Sequence, residues 1–126
     1  MSVSFSGGVI TSEIAGTTAQ RDLGLMNRTT LGADAGIMFI FGVDRGPSSP
    51  GFWMKDTSIP ISIAFIDSTK RVVSVQDMAP FTLDDHRPSA TYRYALEVNR
   101  GWFTTHNIVV GALATFAIPA GTVWDP

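Results

Sequence analysis

The run Ile37-Met38-Phe39-Ile40-Phe41 has no polar position. Side chains alternate between the two faces of a strand, so this run is apolar on both. Such a strand must be covered on both sides, which makes it central. The rest of the chain has to supply its neighbours and its two covers.

The neighbours are short. Val3 to Phe5 and Val9 to Ala15 read as strands separated by Gly7-Gly8. Phe52 to Thr57 alternates, with Phe52, Met54 and Asp56 on one side and Trp53, Lys55 and Thr57 on the other. Pro60 interrupts hydrogen bonding and marks an edge, a bulge or a turn. Ile61 to Ile66 and Val72 to Met78 form a hairpin about the polar turn Asp67-Ser68-Thr69-Lys70. Thr91 to Val98 is a further strand, with Tyr92, Tyr94, Leu96 and Val98 sharing a face. Leu113 to Ile118 is the last.

Helical signals are few. Thr17 and Gln20 are spaced as a capping box, and Ala19, Leu23 and Met26 follow on one helical face. This predicts a short helix from about Thr18 to Asn27, with Arg21 and Asp22 off its apolar stripe and Arg21 read as solvated. Asn99 is placed to cap a helical turn through Trp102 and Phe103 to His106. Gly42 to Gly51 and Phe81 to Ala90 are turn-forming stretches, predicted to be irregular. Strands that follow one another through turns argue for an antiparallel, mainly β sandwich or barrel. The expected organisation is one domain over residues 1–126, with 119–126 as a tail.

Several function classes lose support. Nine basic and eleven acidic residues give a net charge of −2, and Lys70-Arg71 is the longest basic run. No patch is expected for nucleic acid or an anionic membrane. The absence of cysteine removes disulfides, zinc–thiolate sites and thiol nucleophiles. The weakly polar run Ile108 to Ile118 is too short to span a bilayer, and the first cation, Arg21, is too late for a signal peptide's basic region.

Phe52 to Asp67 contains a cation, a carboxylate and a hydroxyl, Lys55-Asp56-Thr57, within an apolar run. Burying a charge is costly unless it is paired. Arg21 and Glu97 are the candidate partners, and Glu97 itself interrupts the apolar strand ending at Val98. Paired groups of this kind recur at active sites, though structural ion pairs and snorkelling lysines look the same in sequence. Lys55 and Asp56 point to opposite faces unless a bulge re-aims one.

Asp77, Asp84, Asp85 and His86 offer oxygen and nitrogen ligands without a metal-loop motif, so a solvated acidic loop is the expected reading. No hydrolase, zinc-protease or phosphate-loop motif is present, and no cofactor is expected. Trp53, Trp102 and Phe103 are core aromatics or a ligand shelf.

Several segments together carry a resemblance. They are Glu13-Ile14-Ala15, Gln20-Arg21 with Gly24-Leu25-Met26, Gly36 to Phe41, Phe52-Trp53-Met54-Lys55-Asp56-Thr57, Ile59-Pro60-Ile61, Ala64 to Asp67, Tyr94 to Asn99, and Gly101-Trp102-Phe103. From Val9 to Ile118 the chain resembles the domain of unknown function 192 family. The resemblance implies a jelly-roll-like β-sandwich with a small helical element. It also implies a periplasmic or secreted location, and it implies no activity. The family commonly has asparagine where Asp56 stands and aspartate where Ser62 stands, as though a carboxylate had moved.

Two functions remain in view. One is a module that binds a small, anionic ligand or a protein partner. The other is a small hydrolase or lyase with Asp56 or Glu97 as general base and Lys55 or Arg21 stabilising negative charge. The candidate ligand-binding residues are Arg21, Trp53, Lys55, Asp56, Thr57, Glu97 and Asn99.

Overall fold

The computed structural model describes residues 1–126. Its strands are β1 (Ser2–Phe5), β2 (Gly8–Ala15), β3 (Ala35–Arg45), β4 (Ile61–Ile66), β5 (Val72–Met78) and β6 (Tyr92–Asn99). They form one sheet in the order β1-β2-β3-β6-β4-β5. Two short helices accompany it, α1 (Thr18–Leu23) and α2 (Trp102–Thr105). The chain is mainly β, with the N-terminal helix and the helical turn that its sequence predicts.

The sheet is mixed, not antiparallel throughout. β2 runs parallel to β3, from Thr11 opposite Ala35 to Ala15 opposite Phe39. Parallel neighbours need a crossover of about a dozen residues or more. Residues 16–34 supply it and contain α1. The remaining pairs are antiparallel.

The sheet is also open, not a barrel. The expected last strand is reduced to two single bridges, Leu113 with Arg71 and Thr115 with Ser4. That segment therefore touches the neighbourhoods of both edges, β5 and β1, without closing them.

Other boundaries move for local reasons. α1 stops at Leu23 because Gly24 adopts φ 47. The capping box is formed: Gln20 N donates to Thr17 Oγ1 at 3.2 Å, and Thr17 N to Gln20 Oε1 at 3.1 Å. α2 is capped by Gly101 at φ 89, not by Asn99. Phe52 to Thr57 is not a strand. Phe52 bridges His86, Asp56 turns the chain at φ 53, and Thr57 N returns to Met54 O at 3.1 Å.

Each face of the sheet carries a core. Met38, Ile40, Ala64, Ile66, Leu96 and Val98 point to one, where β1 residues, Trp102, Phe103 and Phe116 cover them. Ile37, Phe39, Phe41, Ile61, Ile63, Phe65 and Ala95 point to the other, under Leu25, Met54 and Ile59. The doubly apolar run in β3 is thus a central strand between two covers.

β3 runs on into the glycine-rich stretch expected to be irregular, and it bulges there. Ile40 pairs with Tyr94 and Arg45 with Tyr92, so β3 takes up extra residues against a short span of β6. The irregularity separates the two tyrosines that alternation put together. Tyr92 packs at 4.9 Å from Phe65, while Tyr94 packs at 5.1 Å from Phe116 on the opposite face. It also swings Arg45 toward α1.

Candidate functional site

Between α1, the β3 bulge and residues 50–57 lies a pocket of about 490 Å³. Phe39, Phe41, Phe52 and Glu97 line it, with Arg21, Arg45, Trp53 and Lys55 around it. Phe52 meets Phe39 at 5.0 Å and Phe41 at 6.2 Å, both edge to face, which makes an aromatic wall.

Glu97 reaches the pocket through strand register. It sits on β6 between Ile37 of β3 and Ile63 of β4. Alternation turns it to the face carrying Ala95 and Phe39, where it is only 5 % exposed. Burial pushes its pKa up to about 8, and no cation or hydrogen-bond donor offsets that burial. At neutral pH the side chain is therefore a carboxylic acid, a donor as well as an acceptor.

Arg21 is a structural clamp. Its Nη1 donates to the carbonyls of Gly16, Ile40 (2.9 Å) and Asp125 (3.0 Å), and its Nη2 to Pro126 O at 3.0 Å. Asp125 N bonds back to Gly16 O at 2.9 Å, so the last residues strap down beside α1 and bring Pro126 to the pocket wall. Removal from water holds Arg21 below the usual arginine pKa. The expected solvated role for Arg21 is thus corrected: a polar helix face meets a chain segment more than a hundred residues away.

Arg45 stands over Phe41 at 4.3 Å, as Arg21 does at 4.7 Å. It donates from Nε to the Tyr92 hydroxyl at 3.4 Å and from Nη2 to Pro50 O at 2.7 Å. Lys55 is exposed, with Nζ 5.5 Å from the Trp53 ring. Trp53 is 49 % exposed, so it belongs to the rim and not to the core. Thr57 is buried and donates from Oγ1 to Lys55 O at 3.0 Å, which fixes the backbone that carries the lysine.

Five of the seven expected residues meet at the pocket: Arg21, Trp53, Lys55, Thr57 and Glu97. Two do not. Asp56 is exposed at its left-handed turn, where its carbonyl accepts from Asn27 N at 2.8 Å. Asn99 donates to the carbonyls of Leu31 (2.9 Å) and Gly32 (3.0 Å), pinning the loop after α1.

The expected carboxylate shift is not a shift within one site. Ser62 lies on the other face, donating to Asp77 Oδ1 at 2.7 Å and accepting from Gly101 N at 3.0 Å. Arg45 was not a candidate, because its glycine-rich surroundings read as a loop; a cation close behind an apolar strand was the only available signal.

No group of three or more histidine, aspartate or glutamate side chains is placed to hold a metal ion. Asp77 is engaged by Ser62, and Asp85 accepts from Gly51 N at 2.8 Å and pairs with Arg87 at 3.1 Å. Trp102 and Phe103 are buried on the far face. No helix is long and apolar enough to cross a membrane.

Fold and site together define a small mixed-sheet protein with an acid-floored pocket on one face. The chain belongs to the domain of unknown function 192 family, described as Uncharacterized ACR, whose profile matches residues 1–116. A crystal structure of a protein of unknown function from Novosphingobium aromaticivorans superposes with a TM-score of 0.78 at 30% identity, over 91% of this chain and 82% of that one. A Sinorhizobium meliloti protein provisionally called a transcription regulator superposes with a TM-score of 0.81 at 27% identity, over 90% of this chain and 89% of that one. No curated protein matches the chain.

Proposed function

We propose that the protein is a binding module that takes a small ligand with an anionic group into the pocket beside α1. The observation that carries this reading is the arrangement of charge around the aromatic wall. Lys55 enters no ion pair, Arg21 and Arg45 line the same pocket against one carboxylate, Asp22, and Glu97 adds no negative charge while protonated. A pocket of about 490 Å³ lies within the size range of small-molecule sites.

The hydrolase or lyase alternative needs a carboxylate and a cation converging on one point. Asp56 lies outside the pocket, and no cation influences Glu97. Binding is therefore the better reading. The provisional name of the Sinorhizobium meliloti protein would call for contact with DNA. Helices of six and four residues and a balanced charge give this chain no evident element for groove reading. The exported location implied by the family resemblance is also proposed, and fractionation of the native cell tests it.

The binding test is a nuclear magnetic resonance screen of small carboxylates and phosphates, read at the Trp53 indole and the Lys55 side chain. Binding anions should shift both signals. Lys55→Ala should weaken that binding by about fivefold to tenfold, the scale of one charge-assisted contact, while thermal unfolding stays unchanged. Anion shifts that survive the substitution at full strength would remove Lys55 from the site.

A further inference from the structure

The pocket has two poles that do not pair with each other. Exposed Lys55 and half-buried Arg45 line it toward solvent, and buried Glu97 lies at the floor. A structural ion pair would bring them together. Instead Arg45 turns to Tyr92 and Pro50, Arg21 spends its donors on backbone carbonyls, and Glu97 is left between two isoleucines. Buried carboxyl groups are ordinarily hydrogen-bonded or paired, because desolvation is otherwise uncompensated. This one is 95% removed from solvent, makes no hydrogen bond or ion pair within the chain, and opens only to the cavity it lines. Phe39, Phe41 and Phe52 line the same pocket, and aromatic ring faces attract cations and not anions.

We infer that the ligand is zwitterionic: its anionic group sits with Lys55 and Arg45 at the opening, and its ammonium pairs with the Glu97 carboxylate at the aromatic floor. This rests on the anion-binding reading of the same pocket and adds the second charge. A ligand with an anion alone would occupy the opening and leave the floor acid unpaired.

The proton balance follows from the chemistry. The free protein holds Glu97 as COOH at neutral pH. The incoming ammonium keeps its proton, Glu97 loses its own to solvent, and an ammonium–carboxylate pair remains. Of the titratable groups lining the pocket, Arg21, Asp22, Arg45 and Lys55, none influences Glu97, so one proton is released for each ligand bound.

Phenylalanine, phenylacetate and phenethylamine test this as matched probes, each with a ring suited to the aromatic wall. Titration calorimetry at pH 6.5 in two buffers of different ionisation enthalpy reads both affinity and proton release. Phenylalanine should bind about tenfold or more tighter than phenylacetate, the worth of one hydrogen-bonded charge, and release close to one proton. The near-isosteric Glu97→Gln should abolish both the preference and the proton release. Equal binding of phenylalanine and phenylacetate, or binding without proton release, overturns the zwitterion and leaves the anion reading standing. Phenethylamine binding as tightly as phenylalanine keeps the Glu97 pairing but overturns the anionic pole, and with it the zwitterion. If no probe moves the Trp53 signal, the pocket reading and the zwitterion fail together.

Discussion

Glu97 lies directly opposite Ile63 in the β6–β4 pair, an ionisable side chain in register with a fully buried aliphatic one. Its other neighbour, Ile37, is aliphatic too. Neither can accept or donate a hydrogen bond, so the carboxyl finds compensation only toward the pocket.

The first prediction is a pH dependence. Glu97 is raised from an ordinary value of 4.5 to about 8 in the folded protein. Between those values the folded state holds a proton that the unfolded state has lost. Its contribution to stability is therefore full below about 4.5 and is lost progressively as pH rises toward 8, at up to about 1.4 kcal/mol per pH unit. Glu13 and Asp67 have lowered values, so their contributions disappear only as pH falls below the ordinary carboxylate range, outside this window. Urea unfolding from pH 5 to 9 measures the slope. Glu97→Gln should flatten it and be more stable than the parent at pH 8 by about 2–4 kcal/mol. A parent slope unchanged by the substitution would mean that another group titrates.

Gly36 is held by a close approach. A Cβ added there would stand 2.7 Å from the backbone oxygen of Glu97 and 3.1 Å from Ile10 Cγ2. The first is backbone and cannot rotate away. Gly36→Ala should cost about 2 kcal/mol in urea unfolding, as overpacking does elsewhere. A neutral result would mean that β3 and β6 separate easily.

Arg21 predicts the behaviour of the last residues. Arg21→Ala should destabilise by about 1–3 kcal/mol and release the 119–126 segment. Hydrogen exchange at Asp125 and Gly42, whose amides donate to Gly16 O and Asp125 O, should accelerate. Arg21→Lys should not restore protection, because a single ammonium cannot reproduce the planar fork. Unchanged exchange in both variants would show that the segment docks without the guanidinium.

Asp56 gives the mildest prediction. Its φ of 53 lies in the left-handed region, where asparagine is among the better tolerated side chains. Asp56→Asn should be neutral to stabilising, within about 0.5 kcal/mol, and should leave ligand affinity unchanged.

Local patterns made much of the fold readable. The run Ile37 to Phe41 is central because no face of it tolerates water, and the Ile61–Met78 hairpin follows from alternation about a polar turn. The parallel β2–β3 pair was hidden because pairing direction depends on the path of residues 16–34, not on either strand. Phe52 to Thr57 alternates like a strand, yet a left-handed Asp56 breaks it, a conformation that residue identity alone does not fix. The site was half legible. A cation in an apolar run and a glutamate in an apolar strand were visible. That Arg21 would bind carbonyls of Asp125 and Pro126 was not, because those partners are distant in sequence.

The two-cored sheet bears on how changes combine. Met38 and Phe39 are adjacent in sequence but belong to different cores, so their side chains pack against different sets of residues. Phe39 and Phe52 are distant in sequence but in contact at 5.0 Å, so their losses should not add. The sheet acts as a partition between two separately tunable compartments. Glu97 lies in the compartment under Leu25, Met54 and Ile59, so changes around the pocket leave the packing of Trp102, Phe103 and Phe116 untouched.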